Sequence, residues 1–554
     1  MKRVFLHTVA AVLPAAVLAL ASSTPGLTAA SAAPAVAAPS APACEALAGL
    51  KLPDTTLTAK LVAAGAFTPP GAGGRGGRGM TDVPSFCQVQ GIAAPTPTSK
   101  IQFEVWLPAD GWNGKLQVVG NGGLAGTIGY AAMGTAVRNG YASAGTDTGH
   151  TATEPGTWMA DRERLIDYSY RGLHMTTVDA KSIVQTFYTA QAKQSYYTGC
   201  STGGKQGLME AQRYPADFDG ILAGDAANFW THQMASETWN GVVTSAPETN
   251  ISNEKLQTLE NATVKACDML DGAADGLVSD PMRCKFDPAT LLCPAGTDNA
   301  SCLTAPQVAA VKKLYGGVTD QRGRKLYPGF WPGGEVGWGA RPDAQGNPGQ
   351  NTVINRTTRP GGSSFAFWAN ALFHDENWPY PKFDFDQNID RADSLLAPIT
   401  NATSPNLQEF RRLGHKLIYY HGAADPLIPA QNGIDYYESV VKAQKSLDKT
   451  LEFFRAFLVP GLYHCAGGPG PIAFNNGQAP ASQRDADHDA LLSLQRWVEQ
   501  GKAPASIIGT KYVDGNAAKG VALQRPLCPF PQVAKYKGSG DLNSAANFAC
   551  VVAK

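Results

Sequence analysis

The stretch from Gln194 to Gly204 restricts the fold more than any other part of the chain, because it requires a strand, a sharp turn and a helix in immediate succession. It reads QSYYTGCSTGG, and its aromatic half predicts a short strand that breaks at Gly199. A helix is expected to follow through Lys205–Arg213. A turn this tight strains the backbone of Ser201 and needs small flanking residues so that strand and helix can pass each other. The alternative interpretation is a plain glycine-rich loop.

Predicted strands and helices alternate on both sides of this stretch. Apolar runs of alternating or continuous character predict the strands, and longer runs without helix breakers predict the helices. Alternation of this kind implies parallel βαβ units, so the fold class is α/β with a mainly parallel sheet flanked by helices. The predicted strands are Ile101–Leu107, Lys115–Val119, Tyr141–Gly145, Gly220–Gly224, His415–Tyr420 and Leu451–Val459, and the predicted helices are Asp167–Ala190, Ala430–Ala443 and Asp485–Gln500.

The alternation is interrupted between residues 225 and 397. This segment contains six tryptophans, many Gly, Pro and Asn residues, and four of the ten cysteines. We therefore predict one large inserted lid domain over residues 226–397, which divides the sheet-forming core into a first part at 43–225 and a second part at 398–554. Lids over the carboxyl ends of strands commonly complete a substrate pocket.

Three side chains follow predicted strands in an order that suits nucleophilic catalysis. Ser201 ends the strand described above, Asp425 lies in the turn HGAADPLIP, and His464 lies in the later loop PGLYHCAGG. A serine nucleophile needs a base to take its proton and an acid to orient that base. We therefore predict a Ser201, Asp425 and His464 triad. The competing residues precede the late strands or lie too early for the acid loop, and are His150, His174, His232, His421, Asp219 and Asp225.

Attack by a serine creates an oxyanion that needs fixed hydrogen-bond donors. The backbone N–H of Thr202, directly after the predicted nucleophile, is one candidate donor. The second donor is expected from the loop GNGG after the strand Lys115–Val119, and we favour Gly122 or Gly123. The alternative is that these glycines only turn the chain.

The balance of charges argues against a nucleic-acid partner. The chain has 46 Lys and Arg residues, 46 Asp and Glu residues, and a formal net charge of zero. Nucleic-acid binding needs a basic surface. With 44% hydrophobic residues, the composition instead favours an ordinary core and a small-molecule partner. The sequence leaves the oligomeric state open.

The N-terminus has the pattern of an export signal. Lys2 and Arg3 precede an apolar run from Val4 to about Ala21, and small residues follow. We predict a signal peptide and leader over residues 1–38, and hence a protein secreted to the periplasm or the exterior. A membrane anchor is disfavoured because the apolar run is short and interrupted by polar residues and proline.

Ten cysteines in an exported chain are expected to pair. Spacing favours local pairs, although sequence alone does not fix the connectivity: Cys44 with Cys87, Cys267 with Cys284, Cys293 with Cys302, and Cys528 with Cys550. Cys200 and Cys465 remain, one beside each of two predicted triad residues. If the triad forms, a disulfide between them is geometrically reasonable. A free reactive thiol is the alternative.

An acidic segment in the predicted lid reads CDMLDGAADGL and is closed by Cys284. Three carboxylates separated by glycines suit a hard cation with oxygen ligands. The spacing is wrong for an EF-hand, and a solvated acidic turn is the alternative.

These motifs together resemble the tannase and feruloyl esterase family of α/β-hydrolases, which also includes mono(hydroxyethyl) terephthalate hydrolases. The resemblance spans nearly the whole chain after the leader. It includes the GCSTGG elbow, the HGxxDP turn, the GxxHC loop and the lid. The paired CS and HC dipeptides are much more specific than GxSxG alone.

The resemblance carries expectations beyond those drawn from the residues. It implies five disulfides in the pairing given above and a structural calcium ion in the lid. It assigns the calcium ligands to Asp268, Asp271, Asp275 and the carbonyls of Ala273 and Leu277. It also implies aromatic acyl groups in the substrate, of the feruloyl, galloyl or terephthalate monoester type. Candidate contacts to such a ring and its substituents are Arg359, Phe365, Phe367 and Trp368.

The resulting expectation is a secreted serine carboxylic ester hydrolase that acts through an acyl-serine intermediate and needs no organic cofactor. Two alternatives remain from the sequence. A serine peptidase of the same fold would use the same triad, and a calcium-stabilised binding protein would have no catalytic use for it. Comparing the turnover of esters with that of amides tests the peptidase alternative. Labelling of Ser201 by a fluorophosphonate tests the binding-protein alternative.

Overall fold

The computed structural model describes residues 41–70, 79–339, 353–354, 362–476 and 480–553. The predicted signal peptide and leader at 1–38 lie outside the described residues. Nine strands form the central sheet. They are β1 (Thr55–Val62), β2 (Phe86–Ala93), β3 (Ile101–Pro108), β4 (Lys115–Val119), β5 (Ala142–Thr146), β6 (Gln194–Cys200), β7 (Gly220–Gly224), β8 (Lys416–Gly422) and β9 (Phe454–Val459).

The order of the strands across the sheet is β1-β2-β3-β5-β4-β6-β7-β8-β9. From β5 to β9 every neighbouring pair is parallel, whereas β1, β2, β3 and β5 pair antiparallel. The strands β6, β7 and β8 are adjacent, so the residues that follow them meet at one edge of the sheet. This is a sheet of the α/β-hydrolase type, as predicted.

The predicted strands are present, with ends displaced by up to a few residues. The largest shift is at β9, which begins at Phe454 because Leu447–Leu451 forms a short helix instead. The helix predicted from Asp485 begins at Ala490, since Asp489 caps it by accepting a hydrogen bond from the Leu492 N–H at 2.9 Å. Strands β1 and β2 were not predicted. Their alternation is imperfect, and they are stabilised by antiparallel pairing at the sheet edge.

Nine helices of nine or more residues lie within the described ranges. They are α1 (Tyr130–Arg138), α2 (Gly172–Tyr188), α3 (Thr202–Arg213), α4 (Trp230–Thr244), α5 (Asn253–Cys267), α6 (Ala305–Gly316), α7 (Gln387–Leu395), α8 (Ala430–Gln444) and α9 (Ala490–Gln500). Shorter α-helices are Ala41–Glu45, Arg162–Ile166, Ser363–Phe367, Ala397–Thr400, Gln408–Arg412 and Leu447–Leu451. Two-stranded ribbons pair Val318–Thr319 with Lys325–Tyr327, Ile507–Tyr512 with Val521–Leu527, and Gln532–Tyr536 with Phe548–Val552.

Both faces of the sheet are covered by helices, which explains why the parallel strands are apolar on successive residues. In β6, Tyr197 packs with α2, α3 and α8, whereas the preceding Tyr196 packs with α9 on the opposite face. Ile221 and Leu222 in β7 divide in the same way. Period-two alternation across a fully buried sheet therefore appears in the sequence as a continuous apolar run.

The chain between β7 and β8 contains α4 to α7 and corresponds to the predicted lid. Its aromatic core includes Trp230, Phe367 and Trp368, and it also incorporates Trp158 and Tyr168 from the connection after β5. Residues Pro39–Lys554 accordingly group into a single compact unit. The exact boundaries 226–397 remain a prediction.

Among the described residues, no helix is both long enough and apolar enough to cross a membrane.

Candidate active site

Ser201 is the single residue between β6 and α3, and its backbone has the strain expected of a nucleophile at a sharp turn. Its φ and ψ are 65° and −120°, a region that non-glycine residues rarely adopt. The neighbours must be small. A Cβ on Gly203 would lie 2.8 Å from the Asn121 carbonyl oxygen, and one on Gly204 would lie 2.1 Å from the Gly224 carbonyl oxygen. The two glycines after Thr202 are therefore required by the close packing of α3 against β7 and the loop after β4.

The predicted base and acid are hydrogen-bonded to each other. His464 Nδ1 lies 2.8 Å from Asp425 Oδ2, and the other carboxylate oxygen accepts N–H groups of Leu427 at 2.7 Å and Ile428 at 3.0 Å. Burial opposes ionisation of Asp425, but the charge of His464 and hydrogen bonds from His421 and His464 outweigh it and hold the pKa well below its usual range. Asp425 is thus an anion that orients the His464 ring through Nδ1.

Ser201 and His464 line the same cavity, which has a volume of about 720 Å³. The Ser201 hydroxyl has no hydrogen-bond partner among the described residues. Catalytic hydrogen bonds are often formed or tightened only when substrate is present. The structure therefore brings together the three residues that the sequence selected, with the nucleophile open to the cavity.

The loop after β4 lies beside the nucleophile, as the oxyanion prediction requires. The Gly203 N–H donates to the Asn121 carbonyl at 2.7 Å, and Thr202 Oγ1 donates to the Gly123 carbonyl at 2.5 Å. Gly122, Gly123 and Thr202 all line the cavity. Within the described ranges, the N–H groups of Gly122 and Gly123 have no protein acceptor. These N–H groups and that of Thr202 are the available donors for an oxyanion.

The opposite wall of the cavity comes from α4, the helix that directly follows β7. Its lining residues are spaced three and four apart, so they share one helix face: Trp230, Gln233, Met234 and Glu237. These residues were not predicted from the sequence as part of the site. Their spacing of three and four residues, directly after a strand of the core, was the pattern that could have indicated a helix face beside the nucleophile. An apolar wall with an amide and a carboxylate suits an aromatic group that carries polar substituents.

The predicted aromatic contacts to substrate need correction. Phe367 and Trp368 are fully buried in the lid core, where the Trp368 Nε1–H donates to Thr238 Oγ1 at 2.9 Å. Phe365 packs near Trp378 and Tyr380. None of the three lines the cavity. Aromatic composition did not distinguish a ring that packs the lid from one that faces substrate. Arg359 lies outside the described residues.

The structure contains the five predicted disulfides, Cys44–Cys87, Cys200–Cys465, Cys267–Cys284, Cys293–Cys302 and Cys528–Cys550. Cys200–Cys465 joins the residue before Ser201 to the residue after His464, across a sequence separation of 265 residues. It covalently links the turn of the nucleophile to the loop of the base.

The acidic segment of the lid folds as a tight loop with its carboxylates turned inward. Asp268 accepts the N–H groups of Asp275 and Gly276, each at 3.2 Å, and Asp271 accepts that of Ala273 at 2.9 Å. The second oxygen of Asp271 is buried and has no hydrogen-bond partner among the described residues. Burial raises the pKa of Asp271 to about 6. A buried carboxylate oxygen of this kind is chemically suited to bind a cation.

Two observations at this loop differ from the simple expectation. Asp275 is paired with the buried guanidinium of Arg525, which already supplies a positive charge. Among the described residues, the three carboxylates of the loop do not each bring an oxygen within 4.8 Å of the others. The carboxylate and carbonyl oxygens of this loop are nevertheless the type of ligand that a calcium ion prefers.

A family model described as tannase and feruloyl esterase matches residues 87–551. The chain belongs to the tannase and feruloyl esterase family. It is therefore a carboxylic ester hydrolase, and the peptidase and binding-protein alternatives are not supported.

Relatives found by sequence comparison match this chain over most of its length. An uncharacterized esterase of Xanthomonas campestris pv. campestris is 37% identical over 540 residues, which cover 92% of this chain and 91% of the relative. A probable feruloyl esterase B of Emericella nidulans is 33% identical over 476 residues, which cover 84% and 86%.

Solved structures agree on the fold. Feruloyl esterase B from Aspergillus oryzae superposes with a TM-score of 0.83 at 28% identity, covering 92% of this chain and all of that chain. The tannin acyl hydrolase from Aspergillus niger gives a TM-score of 0.72 at 23% identity, covering 94% and 96%. At this low identity, the similarity to the tannin acyl hydrolase supports the fold alone.

Proposed function

We propose that this esterase hydrolyses esters of aromatic acids through an acyl-Ser201 intermediate. The observation that carries the proposal is the position of Ser201, at a strained turn on a cavity wall that it shares with the Asp425-bound ring of His464. Thr202, Gly122 and Gly123, whose N–H groups are the proposed oxyanion donors, line the same cavity.

The geometry supports a two-step mechanism. Nε2 of His464 takes the Ser201 proton as the serine oxygen attacks the ester carbonyl carbon, and the N–H donors of Thr202 and of Gly122 or Gly123 stabilise the oxyanion. Collapse breaks the ester bond, and His464 returns the proton to the departing alkoxide. Water then attacks the acyl-serine with His464 as the base, and this releases the carboxylic acid and regenerates Ser201.

The cavity supports an aromatic acyl group of the feruloyl, hydroxycinnamoyl or galloyl type, with terephthalate monoesters as a further member of the class. Trp230 and Met234 offer an apolar surface to a ring, and Glu237 places a carboxylate on the same helix face. The name feruloyl esterase, carried by relatives in sequence and by a solved structure, points to the same class of acids.

Ser201→Ala tests the mechanism. We expect wild-type protein to hydrolyse members of a panel of methyl ferulate, methyl gallate, chlorogenate and a terephthalate monoester. The variant should lose at least about 10³-fold in kcat on every substrate that wild type accepts, because the acyl-enzyme cannot form. Its melting temperature should remain close to that of wild type.

Undiminished hydrolysis by the folded variant would refute the role of Ser201. Activity of the wild type on simple acetate esters alone, with none on the aromatic panel, would refute the substrate class and leave the mechanism standing. Gln212→Ala, a change on α3 outside the cavity wall, serves as the matched control.

Two further properties belong to this proposal. The loop 268–277 is proposed to hold a structural calcium ion through the carboxylates of Asp268, Asp271 and Asp275 and the carbonyls of Ala273 and Leu277. The ion would supply charge that rigidifies the lid and takes no part in the chemistry. Export is proposed from the N-terminal sequence and is supported by the five disulfides, which persist in oxidising compartments.

A further inference from the structure

Asp225 directly follows β7, the strand between the nucleophile strand β6 and the acid strand β8. Its side chain is fully buried, and its φ of 39° is in the left-handed region that costs a non-glycine residue energy. Asp225 lies too early in the chain to be the acid of the triad. A buried carboxylate in a strained conformation next to three catalytic loops calls for another explanation.

The carboxylate of Asp225 is shared between the acid loop and the base loop. Oδ1 accepts the N–H of Gly422, at the end of β8, at 2.7 Å. Oδ2 accepts the N–H of Cys465, the residue after His464, at 2.9 Å. A single rigid group therefore sets the separation between the loop that carries Asp425 and the loop that carries His464.

Asp225 and the residue before it also contact the turn that carries the nucleophile. The Asp225 Oδ2 atom lies 3.3 Å from Sγ of Cys200, a contact rather than a hydrogen bond, because a disulfide sulfur has no proton to donate. The Ser201 N–H donates to the carbonyl of Gly224, the residue before Asp225, at 3.0 Å. All three loops of the triad thus converge on the end of β7.

We propose that Asp225 is a positioning residue for the triad, which holds the base loop against the acid loop and favours the protonated form of His464 during catalysis. This inference rests on the proposed function, because it assigns a role relative to Ser201, Asp425 and His464. It requires no direct contact between Asp225 and substrate.

Several charged and titratable groups surround His464. Asp425 contacts its ring from the loop after β8, and Asp225 interacts with it electrostatically from the end of β7. His421 on β8 lies close to both of these carboxylates, and Glu237 on α4 lines the same cavity as His464. Burial raises the pKa of Asp225 to about 6, so its carboxylate is charged at neutral pH. A nearby anion stabilises an imidazolium, so removal of the Asp225 charge makes protonation of His464 less favourable.

Asp225→Asn is the test, because it keeps the shape of the side chain but removes its charge and one acceptor. The amide NH₂ then faces a backbone N–H, which separates the two loops. We expect kcat to fall about 10- to 100-fold with little change in KM, since a small displacement of catalytic groups costs this much. The acidic limb of kcat/KM should move to lower pH by about one unit.

Asp179→Asn is the matched control. Asp179 is a buried carboxylate on α2 that accepts a hydrogen bond from Thr55 and does not line the cavity. Its loss is expected to change stability but not the pH profile. If Asp225→Asn does not accumulate as folded protein, Asp225→Ser takes its place, because its hydroxyl can accept one of the two N–H groups. Failure of both variants to fold would show a general structural role and overturn the proposal.

NMR titration of ¹³C-labelled His464 supplies a readout that needs no substrate. The proposal predicts that its midpoint falls in Asp225→Asn and is unchanged in Asp179→Asn. An unchanged midpoint, or an unchanged kcat per active site, would overturn it. If wild-type protein shows no Ser201-dependent hydrolysis, the proposed function is overturned instead. The titration of His464 still reports on Asp225 in that case.

Discussion

At the scale of single residues, Lys205 lies one turn after Ser201 on α3 with its ammonium group between two aromatic rings. Its Nζ is 4.4 Å from the ring centre of Tyr168 and 4.4 Å from that of Trp230. It is fully buried and makes no hydrogen bond within the described residues. Burial lowers the pKa of Lys205 to about 7. Cation–π contact offsets only part of the cost of removing a charge from water.

Lys205→Met is expected to raise the melting temperature by a few degrees at pH 6 and by less at pH 9. The folded pKa lies below the unfolded value, so the cost of the buried charge is complete below about pH 7 and disappears as the pH rises toward the unfolded value. Calorimetry at the two pH values measures this difference. Lys265→Met, at an exposed position of α5, is the control. An equal gain at both pH values, or a loss at pH 6, would contradict the expectation.

At the scale of elements, the Cys200–Cys465 disulfide adds a covalent link where adjacent strands already bring two loops together. Chain-entropy arguments give the largest stabilisation to disulfides that close the longest loops. Here the closed loop spans 265 residues, against 22 for Cys528–Cys550 in the C-terminal ribbon. The expected contributions are about 5 kcal/mol and about 3 kcal/mol, as upper estimates.

We therefore expect the Cys200→Ser, Cys465→Ser double variant to lose more stability than the Cys528→Ser, Cys550→Ser double variant. It should also lose kcat, because its serines flank Ser201 and His464, whereas the C-terminal variant should keep kcat near wild type. Denaturant unfolding and active-site titration measure the two effects. Equal losses of stability together with full activity in both variants would show that the adjacency of the strands is enough to hold the Ser201 and His464 loops in place.

At the scale of the whole molecule, the acidic loop 268–277 joins the lid to the end of the chain. Arg525, on a C-terminal strand, pairs with Asp275, and Ala273 packs against Phe548 and the Cys528–Cys550 disulfide. A cation in this loop would therefore stabilise contacts between segments that are about 250 residues apart in sequence.

Chelation with EDTA is accordingly expected to lower the melting temperature of the full chain, and added calcium is expected to restore it. Asp271→Asn removes one carboxylate of the proposed site and should make the melting temperature insensitive to EDTA. Elemental analysis of purified protein measures the bound ion. A metal-free wild type with the same melting curve in calcium and in EDTA would exclude the proposed site.

The class of the fold, the order of the triad candidates and the small residues of the elbow could be predicted from the amino-acid sequence alone. These features are local: a strand period, a tight turn and one chemically distinctive residue after each strand. The five cysteine pairs could also be anticipated, four from their spacing and the fifth from the residues beside Ser201 and His464.

The identity of the aromatic rings that face the cavity, and the contacts of Asp225, became known only from the folded arrangement of the chain. Trp230 lines the cavity and Trp368 packs the lid, yet both are tryptophans in the same inserted segment. Asp225 lies next to residues about 200 and 240 positions away because β7 is placed between β6 and β8. The order of strands across a sheet depends on long-range packing, and no local pattern around Asp225 encodes it.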